Sequence, residues 1–377
     1  MTDPAGGRAS LAMFAVVALA LAGFAFSLTP AATALDNRLL DLEWRVLRAQ
    51  FPAPAPDDIV IVGIDRATIE SIPAPPGLWH EQLGEALTRI AAARPRAIGF
   101  DYPLPERSYE SIHPGLDRAL FRGIAAAVAN GIFVATLEID PATRSARRIH
   151  TPFLALLADT RLGIGLSSRD DDGVTRRFSI LIPTEDGGFP TLAGRMCRAL
   201  SARCNDGLID YSRGPAFRKV SLRDVLAAPN VETLAALFRD RIVLVGNTQQ
   251  YVDRLRVPLN LAGWETAAHD SPGVVVHAQT LRTAMLGAAP REASRPLAIL
   301  LTLAACLPLA IRRRTLALAA AVLGMGAFMA AALAVLHAGL YVPIAAPLAT
   351  LAVAGLLPFV RRVKKLSRTV PNIQHSP

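Results

Sequence analysis

Asp57-Asp58-Ile59-Val60-Ile61-Val62-Gly63-Ile64-Asp65 is the stretch that decides the fold. Six apolar or small residues run without alternation between two acidic ends. A strand that shows one face to water alternates apolar and polar residues. An unbroken run points to a strand covered on both faces, as in a parallel sheet under helices. The same pattern recurs downstream. Ala97-Ile98-Gly99-Phe100 ends at Asp101, and Ile132 to Leu137 ends at Glu138. Ile242 to Val245 ends at Gly246-Asn247-Thr248. Between the first two, His80 to Ala93 places Leu83, Leu87 and Ile90 on one helical face, and Leu116 to Ala129 reads as a second helix. Strand–helix–strand alternation of this kind predicts an α/β domain with a mostly parallel sheet.

The later part of the domain is less regular. Gly163 to Ser168 and Arg177 to Pro183 flank Asp170-Asp171-Asp172-Gly173, which reads as a hairpin connection. Pro190 to Ser201 reads as a helix and Asp206 to Tyr211 as a strand, so a mixed sheet is compatible with the pattern. The acidic turn lacks the alternating ligands and distal Glu of a calcium loop. Arg176 and Arg177 stand ready to pair with it.

Outward from this domain lie four apolar segments. The chain has 377 residues, 52% of them hydrophobic, and a formal net charge of +9. From Ala31 to Arg295 there are 31 Lys/Arg and 30 Asp/Glu; the rest of the chain holds nine Lys/Arg and one acid, Asp3. The excess charge therefore flanks the apolar segments, a positive-inside pattern rather than a nucleic-acid face. No basic stripe with interleaved aromatics is present, so no nucleic-acid partner is expected.

Residues 11–30, 296–311, 315–338 and 340–360 are expected to be transmembrane helices. For the first, Ala32-Thr33-Ala34 offers a rival reading as a signal-peptide cleavage site, but the run is longer than an ordinary signal core. Arg312 to Arg314 place the second connection in the cytoplasm, as does the basic tail over 361–377. This leaves residues 1–10 inside and 31–295 outside, with both termini cytoplasmic in a multi-pass plasma-membrane protein. Gly324 and Gly326 permit close helix packing and hence a homodimer.

The site residues follow from the strand ends. Ligands of open α/β sheets bind outside the carboxyl ends of the strands. Asp65, Asp101 and Asn247 occupy such ends, where two carboxylates would hold a divalent cation or a cationic ligand. The competing role is to cap the following helices or pair with an Arg. His277, at a strand-to-helix transition, is either a ligand or pH-responsive group or a core histidine satisfied by backbone. Cys197 and Cys204 are seven apart; in an exported domain they form a disulfide or remain two thiols, and the spacing fits no common zinc site. No hydrolase elbow, phosphate loop, zinc-protease helix or kinase set appears, so neither catalytic residues nor a cofactor are expected.

An ordered set of motifs resembles the CHASE type-2 family of extracytoplasmic sensory domains. Asp57 to Asp65 is similar to its opening strand and Arg96 to Asp101 to its second. Asp170 to Arg177 resembles its hairpin, Phe189 to Leu192 the start of its next helix, and Tyr211 to Gly214 its Tyr-x-Gly turn. Phe238 to Thr248 and Ser271 to Leu281 resemble its last strand and final helix entry. The resemblance runs over about residues 35–290 and implies a sensory domain spanning 31–291 with one anchor before it and three spans after. The segment Tyr102 to Glu106 departs from the family pattern. Family members carry a cytoplasmic output domain, whereas only 17 residues follow Val360. That implies a sensor of an unknown extracytoplasmic ligand that signals in trans to a cyclase or kinase. A non-signalling scaffold and an exported metal-dependent hydrolase built on Asp65 and Asp101 are the alternatives.

Overall fold

The computed structural model describes residues 4–105, 107–137, 139–140, 147–148, 152–184, 187–267 and 269–367. Glu106, Glu138 and Arg368 lie outside these. The chain divides into two units, Arg48–Ala289 and the pair of segments Met1–Leu47 and Pro290–Pro377.

The first unit is built on six strands: β1 Ile59–Ile64, β2 Ala97–Asp101, β3 Ile132–Leu137, β4 Leu162–Ile164, β5 Arg218–Ser221 and β6 Ile242–Asn247. They form one sheet in the order β5-β1-β6-β2-β3-β4. Every pairing is parallel. The central strands β1 and β6 are buried along their whole length, which explains their unbroken apolar character. Among the described residues, seven α-helices accompany the sheet: α1 Arg66–Ser71, α2 His80–Ala92, α3 Leu116–Ala129, α4 Leu192–Ala199, α5 Leu222–Leu226, α6 Val231–Phe238 and α7 Gly273–Met285.

Alternate residues of each strand serve opposite faces. Val60, Val62, Ile98, Phe100, Val243 and Val245 enter one core with Leu83, Leu87 and Ile90 of α2 and Leu120 and Ile124 of α3. On the other face two glycines make room for helices. A Cβ at Gly99 would strike Met196 of α4, and one at Gly246 would strike Val274 of α7. Helices α2 and α3 approach backbone to backbone: a Cβ at Gly84 would collide with the Ala119 carbonyl, and one at Gly123 with that of Gly84. The buried pair His80 Nδ1 and Asp117 Oδ1, 2.7 Å apart, ties the same two helices.

Three expectations need correction. Among the described residues the six-stranded sheet is wholly parallel rather than mixed, and the antiparallel pairs lie outside it. The turn at Asp170–Gly173 is present, closed by Gly173 N–H donating to Asp170 O at 2.8 Å, with Gly173 at φ 79°. Its flanks, however, do not pair with each other. Leu162–Ile164 is short and apolar, and joins the edge of the buried sheet beside β3. Arg177–Phe178 pairs instead with Gly207–Leu208, which is all that is extended within the expected strand Asp206 to Tyr211.

Arg176 explains why the acidic turn exists. Its guanidinium is 1% exposed and donates to Asp170 Oδ2 at 2.9 Å and to Asp172 Oδ2 at 2.8 Å. Removing Arg176 empties the space its fully buried side chain fills and leaves Asp170 with Arg177 alone, while Asp172, 42% exposed, is partly rescued by water. Arg176→Ala should therefore lower the thermal midpoint of this unit far more than Arg66→Ala, whose guanidinium is 90% exposed. Equal effects of the two substitutions would contradict the assignment.

The second unit holds the apolar helices. Four spans were expected; among the described residues, one helix, Arg314–His337, is long and apolar enough to cross a membrane. Only 11% of its apolar window is buried, so it is not a soluble core helix. Residues Met13–Ser27 and Pro30–Gln50 qualify only as a pair bent by 76°. Pro30 opens the second of these helices, because proline has no N–H to continue the first. The expected span 296–311 is interrupted. Its α-helix, Arg295–Ala304, gives way to a 3-10 turn at Leu307–Ala310 that contains Pro308. Residues 340–360 do not begin as helix either. Leu340–Tyr341 pairs with Arg291–Glu292, Pro343 follows, and the helix starts at Ala345. Apolar stretches of 15 residues reach about 22 Å, short of a hydrocarbon core of about 30 Å.

Candidate functional site

The carboxyl ends of β2, β3, β4 and β6 surround a cavity of about 630 Å³. Its position follows from the strand order. The chain passes from β1 to β2 with a gap between them, and β6 fills that gap from about 180 residues later. The loops after β2, β4 and β6 therefore meet over the sheet edge, where open α/β sheets take their ligands. Asp101, Tyr102, Thr136, Gly165, Asn247 and Asp253 supply its polar side, and Pro103, Leu104, Leu137, Leu166 and Val252 its apolar walls.

Asp101 ends β2 and its side chain is only 8% exposed. Among the described residues its Oδ2 has no hydrogen-bond partner; His277 Nε2 stands 3.8 Å away, beyond hydrogen-bond range. Burial pushes the Asp101 carboxyl up to about 7. His277, on the first turns of α7, hydrogen-bonds to the Gly165 backbone, and burial holds its imidazole below the usual histidine range despite the pull of Asp253. Asn247, at the end of β6, lines the cavity and accepts from Gln249 N–H at 2.9 Å.

Asp65 goes elsewhere. It caps α1 through Thr68 N–H at 3.0 Å, and accepts from Ser221 Oγ at 2.8 Å and Lys219 Nζ at 3.0 Å. Burial raises its carboxyl, but these donors outweigh the burial and hold it below the usual carboxylate range. Strand β6 stands between β1 and β2, which separates the ends of β1 and β2 by roughly 9–10 Å. Asp65 and Asp101 thus do not share one site.

One residue of the cavity was not singled out in the sequence. Asp253 lies in the loop after β6 with a left-handed backbone, φ 49°. Its carbonyl accepts from Gly273 N–H at 2.8 Å, and its carboxylate lies so close to Gly273 that a Cβ there would collide with it. The first turn of α7 therefore faces an acid, as the helix dipole favours. Burial raises the Asp253 carboxyl, and the Asp101 charge raises it further; His277, Arg169 and Arg254 act in the opposite direction. An acid in a polar loop, Gln249-Gln250-Tyr251-Val252-Asp253, carries no periodic signal that would mark it. Cys197 and Cys204 are joined in a disulfide with Cα atoms 6.3 Å apart, away from the residues that line the cavity.

Chemically, the arrangement is a half-apolar pocket with two acids in its lining. Among the described residues no three His, Cys, Asp or Glu side chains converge as a metal would require. Neither a curated protein nor a solved structure matches the chain. The model of the CHASE2 domain does match, over residues 12–322. That match takes in the whole parallel sheet, the cavity at its carboxyl edge and the start of the long apolar helix that follows, and on its extent the chain belongs to the CHASE2 domain family, whose members are extracytoplasmic sensory domains of membrane proteins.

Proposed function

We propose that this protein is a membrane-anchored receptor whose extracytoplasmic unit binds a small ligand in the cavity at the carboxyl edge of the sheet. Binding shifts the unit between two conformations, and the apolar helices carry the shift to a cytoplasmic cyclase or kinase in trans. The observation that carries this reading is the cavity itself. It has the size of a ligand pocket, apolar walls and a few convergent polar groups, and it lies in a domain of a sensory family. The long apolar helix Arg314–His337, the bent apolar pair Met13–Ser27 and Pro30–Gln50, and the excess of basic residues beside the apolar segments support membrane anchorage with residues 31–295 outside. The Cys197–Cys204 disulfide agrees with an oxidising compartment. A homodimer through the Gly324 and Gly326 region would give the signal a second chain to act against.

The test uses the full chain in lipid nanodiscs. A library of soluble metabolites should contain compounds that raise its melting temperature. Gly77 lines the cavity with open space at its Cβ position, so Gly77→Trp should fill the pocket without disturbing the fold and abolish those shifts. Orientation is read separately. Tyr251 is 86% exposed, while Cys306 is buried and the other two cysteines are bridged. Tyr251→Cys should react with a membrane-impermeant maleimide on intact cells. Labelling only after lysis, or shifts indifferent to Gly77→Trp, would sink the proposal.

A further inference from the structure

The cavity's acids are arranged for a partner that the protein does not supply. Among the described residues, the buried Asp101 Oδ2 has no hydrogen-bond donor. A buried carboxylate without a donor bears the full cost of lost hydration. Asp253 adds a second acid to the cavity lining, close enough for the Asp101 charge to act on it. Among the described residues, the charged or titratable groups around these two are His277 from α7, Tyr102 after β2, Arg169 from the loop after β4, and Arg254. None of them donates to Asp101 Oδ2. Arg254 is engaged by Glu265, at 2.6 and 2.9 Å, and His277 is engaged by the Gly165 backbone. The cavity is also lined by Tyr102, Leu104, Leu137 and Val252.

We infer that the ligand is a small organic ammonium ion, with its nitrogen between Asp101 and Asp253 and its carbon skeleton against Tyr102 and the apolar wall. This rests on the receptor reading above and names the ligand class for it. An ammonium group brings both the missing donor and the missing charge. Tyr102, which also lines the cavity, supplies an aromatic ring of the kind that attracts cations. An anionic ligand would meet two acids, and a bare metal ion would leave most of a 630 Å³ space unfilled.

The inference is tested by isothermal titration of the full chain in nanodiscs with three probes: phenethylamine, its neutral analogue 2-phenylethanol and its anionic analogue phenylacetate. The amine should bind at least roughly tenfold more tightly than either analogue, a difference set by its charge. Asp101→Asn should weaken amine binding roughly tenfold or more and leave 2-phenylethanol unaffected. Because Asp101 holds its proton up to about pH 7, amine affinity should rise about tenfold per pH unit below that value and level off above it. Equal binding of the alcohol or the acid, or amine binding indifferent to Asp101→Asn, would overturn the ammonium assignment. If such binding is still lost in Gly77→Trp, the receptor reading survives; if no probe and no library compound binds, both fail.

Discussion

Replacing Asp101 by Asn should make the protein more stable at pH 8, by several times as much as at pH 4.5. A carboxyl with an ordinary value of 3.8 is pushed to about 7 by burial. The sign follows from proton counting. Between those two values the folded protein holds a proton at Asp101 that the unfolded chain has released, so stability falls as pH rises through that window and is flat above it. Three pKa units correspond to about 4 kcal/mol. Asn keeps the shape and removes the charge, so on the order of 3 kcal/mol should be recovered at pH 8. For a unit of this size that is roughly 6–12 °C in thermal midpoint. His277 titrates in the opposite sense, because burial lowers its imidazole. The informative quantity is therefore the difference between variant and wild type at each pH, read by tryptophan fluorescence on heating. A stabilisation of equal size at pH 4.5 and pH 8 would mean that the Asp101 charge is not its source. The same destabilising charge is what an ammonium ligand would neutralise, which links the stability of the pocket to its occupancy.

The second large effect is expected at the crossing of α2 and α3. On helix propensity alone, Gly84→Ala and Gly123→Ala should each stabilise by about 1 kcal/mol. Packing predicts the reverse. At both positions the added Cβ would collide with backbone of the facing helix, and backbone cannot move aside as a flexible side chain can. Forcing the helices apart would also open the buried His80–Asp117 pair and the core shared by Leu83, Leu87, Leu120 and Ile124. Overpacking of this kind costs about 1–3 kcal/mol or more. Each Ala variant should therefore be destabilised by about 2 kcal/mol or more, and Gly123→Leu should fail to accumulate as folded protein. Gly77→Ala, with open space at the same atom, is the control and should change stability by less than about 0.5 kcal/mol. Ala variants as stable as the wild type would show that α2 and α3 do not approach this closely.

The local content of the sequence carried far in the sensory unit. Continuous apolar runs announced β1, β2, β3 and β6, because a strand buried on both faces has no polar side to show. Helices α2 and α3 were legible from residues spaced for one face. The apolar helices were less so. Hydropathy counts apolar residues but not the breaks between them, and Pro30, Pro308 and Pro343 interrupt or delay helices that composition alone would continue.

What the sequence by itself determined is the set of parts: the strand cores, two amphipathic helices, the apolar segments with basic flanks, and Asp101 at a strand end. What only the tertiary structure decided is which ends meet. Strand β6 lies between β1 and β2, and that insertion sends Asp65 to Ser221 and Lys219 and brings Asp101 to Asp253 and His277. Strand order is a property of long-range pairing, and no local periodicity encodes it. Asp253 reaches the pocket only through a left-handed turn against α7. Apolar periodicity reports burial, whereas a polar site is assembled from loops whose positions are set by the sheet beneath them.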